Sequence, residues 1–119
     1  MAMGSRARAR KAVIDAYAAV DEAEVRLRAQ LKVYRRMREI SRRHLEAGGS
    51  ASDMRDLMDI KGVRIQNDEA IADLAAARAQ AQFALYRLAA VEGMSAAEIG
   101  RTWGVSRQFA SRVINSEPD

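Results

Sequence analysis

The chain predicts an all-α protein: a long antiparallel helical hairpin, coiled-coil-like, ending in two short helices joined by a tight turn. Three observations predict it. A single proline and few β-branched residues stand among abundant alanine and arginine in a chain of 119 residues. Residues 9–47 hold an apolar repeat with nothing in them to break a helix. Residues 94–115 carry paired start and stop signals for two short helices. The expected order is a disordered basic arm at 1–8, the hairpin at 9–77, a three-helix unit at 78–115 and a disordered tail at 116–119, which holds Pro118.

The arm, SRARARK at 5–11, is basic and precedes the first apolar position. The first helix is expected from Ala9 to Ala47, a rod of roughly 58 Å at ~1.5 Å per residue. Val13, Ala16, Val20, Ala23, Leu27, Tyr34 and Met37 follow a heptad spacing, with Tyr17, Leu31 and Leu45 flanking. A stripe that long needs a second helix beside it, from the next segment or from another copy of the chain. Gly48, Gly49 and Ser50 stop the helix. Ser50 or Ser52 then caps the next one, with Asp53 and Asp56 in its first turn. The polar run from Lys61 to Glu69 leaves two outcomes open: a continuous helix with a solvated middle, or a break between Gly62 and Asn67. From Ala70 the pattern recovers, with Ile71, Leu74, Ala77 or Ala81, Leu85, Leu88 and Val91 on one face, until Gly93 closes it.

The last segment is the most informative. Ser95 and Glu98 form a capping box, so a helix starts at Ala96, with Met94 and Ile99 as the staple around the cap. Gly104 ends that helix and Ser106 caps another, running from Arg107 to about Asn115. Ile99 and Trp103 share one face; Phe109, Ala110, Val113 and Ile114 form the facing stripe. Trp103 is expected to be buried against Leu85, Leu88, Ile99 and Val113. Gly100 sits where the two helices cross. The outer face of the second helix keeps Arg107, Gln108, Ser111, Arg112 and Asn115, none of them acidic.

The run EIGRTWGVSRQFASRVIN resembles the bacterial helix-turn-helix. Its second helix is similar to the recognition helices of lactose-repressor-type regulators and of the promoter-reading region of sigma factors. Gly104 to Gln108 and Ser111 to Asn115 carry the likeness. It covers about the last third of the chain. Gly100 stands where alanine is commoner, and Ala110 where a branched aliphatic is commoner, which predicts a slightly underfilled core. The resemblance implies a C-terminal helix-turn-helix that binds double-stranded DNA, and the apolar stripe of the first helix, too long for this chain to hide, adds the expectation of a homodimer. Arg107, Gln108 and Arg112 are the expected base contacts, a glutamine suiting adenine and an arginine guanine. Arg101, Ser106, Ser111 and Asn115 are the expected backbone contacts, joined by Arg6, Arg8, Arg10 and Lys11 of the arm.

Charge and composition bound the alternatives. Net charge is +4, and residues 1–47 carry 12 basic against 6 acidic groups, while residues 94–119 carry 3 of each. The excess therefore lies in the first helix and points to nucleic acid or an acidic partner; a solvated helix face is the bland alternative. Cysteine is absent, which excludes disulfides and thiolate metal sites and fits a reducing cytoplasm. No membrane-length apolar run, secretory signal, phosphate-cradling glycine loop or effector pocket is visible. No cofactor, metal, membrane or small-molecule partner is expected, and His44, the one histidine, lies on a charged helix without a catalytic companion. The expectation is a small bacterial or phage transcriptional regulator in the nucleoid, not an enzyme. The competing one is a coiled-coil interaction or assembly module, for a polymerase or DNA-packaging partner, with the C-terminal helices used for packing.

Overall fold

The computed structural model describes residues 4–116 and contains five helices and no strand among them. They are α1 (Ser5–Glu46), α2 (Met54–Leu57), α3 (Ile60–Val91), α4 (Ala96–Trp103) and α5 (Arg107–Asn115). The predicted all-α class holds, and α1 and α3 run antiparallel. Arg6 pairs with Glu92 at 2.9 Å, Arg26 with Asp73 at 3.9 Å, and Gln30 Nε2 donates to Gln66 Oε1 at 3.0 Å, so partners descend α3 as they ascend α1.

The helix begins four residues before the expected Ala9, so Ser5 to Arg8 are helical and not an extended arm. Residues 1–3 of the predicted arm lie outside the described residues, as do 117–119 of the predicted tail. The contacts divide the chain into one unit holding residues to Val20 and from Ala76, and a second holding Asp21–Ala75. The start of α1 thus falls in the same unit as the C-terminal helices, with Arg6 paired to Glu92 just past the end of α3.

In the second unit, the heptad stripe of α1 continues inward through Ala23, Leu27, Tyr34 and Met37, and polar Gln30, Ser41 and His44 fill the intervening positions. Val63, Asn67, Ala70 and Leu74 answer from α3 at the same spacing. Ile71 and Val91, expected on that face, are about half exposed. α1 ends as Gly49 N–H donates to the His44 carbonyl at 2.9 Å, and His44 Nε2 donates to the Ser50 carbonyl at 2.8 Å. His44 is thus a half-buried closure of the connection. α2 has Asp53 at its cap without a side-chain hydrogen bond, and Asp56 in its first turn. Of the two outcomes left open for Lys61 to Glu69, the helix is continuous there with most of its side chains exposed, and the chain breaks before it, at Met58 and Asp59. Asp59 accepts from Gly62 N–H at 3.0 Å and so supplies the cap that lets Gly62 sit inside the first turn of α3.

Asn67 is buried at an inward position, and its Oδ1 has no hydrogen-bond partner among the described residues. An unsatisfied buried amide costs about 1–3 kcal/mol. Asn67→Leu is therefore expected to raise stability by about 1 kcal/mol, read as a higher urea midpoint at unchanged slope. A lower midpoint would show that the amide is held by something outside this chain.

In the other unit, α3 is covered on two sides. Ala77, Ala81, Ala84 and Leu88 continue its heptad stripe, matched by Val13, Ala16 and Val20 on α1. The other side meets α4 and α5 through Phe83, Tyr86, Ala89 and Ala90. Tyr86, Ile99 and Ala110 are fully buried at the centre. The Tyr86 and Trp103 rings lie 5.4 Å apart, and Phe83 meets Phe109 edge-on at 5.9 Å. Trp103 is only half-buried and rests on Tyr86, which the expected set of Leu85, Leu88, Ile99 and Val113 had omitted.

Candidate functional site: the outer face of α5

Local chemistry fixes α4 and α5 tightly. Ser95 Oγ accepts from Glu98 N–H at 3.1 Å, and Glu98 Oε1 accepts from Ser95 N–H at 3.3 Å, closing the capping box. Gly104 adopts φ 73°, ψ 33°, the left-handed region that ends α4. Val105 N–H then reaches back to the Gly100 carbonyl at 2.9 Å. Ser106 Oγ accepts from Phe109 N–H at 3.0 Å and starts α5.

The turn is tight enough that Gly100 has no room to be alanine. A Cβ there would stand 2.7 Å from the Val105 carbonyl oxygen, which is backbone and cannot swing aside. The predicted underfilling at Gly100 is therefore replaced by close backbone packing, and Ala110 is fully buried. Gly100→Ala is expected to destabilise the α4–α5 pair by about 1–3 kcal/mol, measurable as an earlier thermal transition of Trp103 fluorescence. An unchanged transition would mean that the turn opens freely.

With Ala110 and Val113 buried and Phe109 and Ile114 half-buried, the opposite side of α5 is left to solvent. Arg107, Gln108, Arg112 and Asn115 are exposed there, and Ser111 is half-buried. Arg107 and Gln108 make no side-chain hydrogen bond or ion pair among the described residues. The Arg112 guanidinium lies 5.8 Å from the centre of the Phe109 ring, which holds its shaft against the helix. Asn115 Nδ2 donates to Ser111 Oγ at 3.3 Å, so Ser111 shares its hydroxyl with its own helix. Ser106 spends one lone pair on its cap and keeps its hydroxyl proton free to donate. Arg101 is exposed in the last turn of α4.

The basic residues at the start of α1 are differently placed. Arg6 is paired with Glu92 at 2.9 Å and Lys11 with Asp15 at 2.6 Å, both on the surface. Arg8 lies 3.4 Å from Ser5 Oγ. Arg10 is exposed. The positions therefore sit on a helix with part of their charge balanced, where sequence reasoning expected a free arm. The ion pair across 86 residues had no local signal.

No helix among the described residues is long and apolar enough to cross a membrane, and no cluster of His, Cys, Asp or Glu among them could hold a metal ion. A groove of about 980 Å³ lies beside the turn between α2 and α3, with Leu57, Ile60 and Ile65 exposed among charges of both signs. Comparison with protein-family models, with curated proteins and with solved structures finds no match to this chain.

Proposed function

We propose that α5 is a recognition helix and that the protein binds double-stranded DNA with sequence preference, as a small bacterial or phage transcriptional regulator in the cytoplasm. The observation that carries this reading is the outer face of α5: a short helix held rigidly on a buried core, presenting Arg107, Gln108 and Arg112 without an acidic neighbour on that helix. A major groove admits a helix of this kind; a glutamine can bond adenine in two places and an arginine guanine. Arg101, Ser106, Ser111 and Asn115 are suited to phosphate oxygens around it. The test is selection from a random duplex pool by the whole chain. Recovery of one recurring motif is the expected result; a pool that stays random after several rounds overturns the reading.

Homodimer formation belongs to the same proposal, since two-fold regulators read two half-sites. The inward stripe of α1 is covered by α3 within the chain, so the support for a dimer is the apolar surface left over, including Ile14, Val25 and Ile71, each about half exposed or more. The interaction-module reading is favoured by one specific observation, the apolar groove at Leu57, Ile60 and Ile65. Under it the chain engages a partner protein, and the pool experiment returns no motif.

A further inference from the structure

We infer that the C-terminal half of α1 carries a second nucleic-acid surface, one that grips phosphates without reading bases. Between Lys32 and Arg43 the chain places six basic residues against one acid, Glu39. All six are exposed, because Tyr34, Met37 and Ser41 take the inward positions of the helix. Glu39 is already engaged by Arg42 at 3.6 Å, and Arg38 stacks over Tyr34 at 5.5 Å. Lys32, Arg35, Arg36 and Arg43 have no ion pair among the described residues, so four cations stand uncompensated in 12 residues of helix.

Their spacing gives the patch a direction. Lys32, Arg36 and Arg43 fall on one stripe at intervals of four and seven residues, spanning about 16 Å of helix at ~1.5 Å per residue. Lys32 and Arg35 border two adjoining grooves, of about 520 and 310 Å³. Lys32, Arg35, Arg36 and Arg43 line the first with Ile40 and with Glu39, the acid that Arg42 engages; Lys32, Arg35 and Arg38 line the second with Leu31. A row of cations with open grooves between them matches a polyphosphate strand, which displaces its counterions when such a row neutralises it. The amphipathic membrane alternative fits less well. A helix lying in a bilayer surface buries a broad apolar face, and the inward stripe of α1 is already packed against α3.

This surface stands apart from the reading of α5 and does not rest on it. Nothing in the row hydrogen-bonds in a fixed geometry that could tell one base from another. Its contribution is therefore the same for every sequence.

The test uses the full chain with Lys32, Arg35, Arg36 and Arg43 all changed to Gln, beside a second variant in which the three arginines become Lys. Binding to a random duplex is followed by fluorescence anisotropy at rising salt, with helicity checked by circular dichroism. The Gln variant is expected to lose affinity about tenfold or more at low salt, and its slope of log K against log salt to shallow by roughly 3 to 4. The Lys variant, which keeps the charge, is expected to bind like wild type. Any ratio between selected and random duplex is expected to be the same in all three proteins. An unchanged slope in the Gln variant overturns the inference. So does equal loss in the Lys variant, or binding to phosphatidylglycerol vesicles with none to duplex. A wild-type chain that binds random duplex but selects no sequence sinks the reading of α5 and leaves this surface standing.

Discussion

Tyr86→Ala is expected to cost about 3–5 kcal/mol and to detach α4 and α5 from α3. The ring is fully buried and is the largest side chain at the centre of the C-terminal core. Trp103 rests on it at 5.4 Å, so deletion leaves a cavity and removes the support of the one tryptophan. Trp103 emission should shift toward that of a solvated indole while far-ultraviolet dichroism keeps the signal of the long helices. Tyr86→Phe separates ring from hydroxyl. The hydroxyl makes no hydrogen bond of sound geometry, although the Gln82 side chain lies close enough to act on it. Removing it should leave stability unchanged or raise it by about 1 kcal/mol.

The same pair of variants reports on pH. Burial pushes the Tyr86 phenol up from its ordinary value of 10.0, and the Gln82 contact only tempers that rise. The unfolded chain ionises first, so this contribution to stability is complete below pH 10.0 and is lost as pH climbs above it. Tyr86→Phe lacks that loss, and its melting temperature should fall less steeply than the wild type's on the alkaline side. An alanine variant with wild-type melting and unchanged Trp103 emission would contradict the whole assignment of this core.

What could be read in advance follows from distance along the chain. The ends of α4 and the start of α5 were legible because their caps are local: Ser95 with Glu98, Gly104, and Ser106 each act within four residues. The inward stripe of α1 was legible because its branched and aromatic members repeat at heptad spacing. The second face of α3 was not. Leu85 and Leu88 dominate the pattern, Leu88 belonging to the stripe of α3 that answers α1, while α4 and α5 are met by two aromatic rings, Phe83 and Tyr86, set among Ala89 and Ala90. Small residues carry little hydrophobic signal, yet they set how closely helices approach. The choice between a continuous helix and a break near Gly62 stayed open for a related reason: Gly62 weakens a helix interior, but a cap from Asp59 puts it in the first turn, where that weakness matters least. At the site itself, the exposure of Arg107, Gln108 and Arg112 was legible from the face opposite Ala110 and Val113. The pairing of Arg6 with Glu92 was not, since it depends on which helix ends come together.

The second large effect concerns the outer face of α5. Arg107→Ala and Gln108→Ala each remove a side chain that makes no contact holding the fold, so neither should alter helicity or melting. If α5 lies in a major groove, each removes a base contact and should weaken binding to a selected duplex by about 1–3 kcal/mol. Arg112 differs, because its stacking on Phe109 also fixes its direction. Arg112→Lys should lose much of the preference while keeping the charge, since an ammonium cannot bond a guanine in two places. Changing Arg6, Arg8, Arg10 and Lys11 together to Ala should lower affinity for selected and random duplex alike. The drop should be less than four full charges would give, as Glu92 and Asp15 already offset two of them. The most direct measurement is fluorescence anisotropy of wild type, Arg107→Ala and Gln108→Ala on selected and random duplexes at two salt concentrations. The predicted result is a loss of about 1–3 kcal/mol on the selected duplex, little change on the random one, and an unaltered salt slope. Equal binding of the selected duplex by all three proteins would contradict the placement of α5 in the groove.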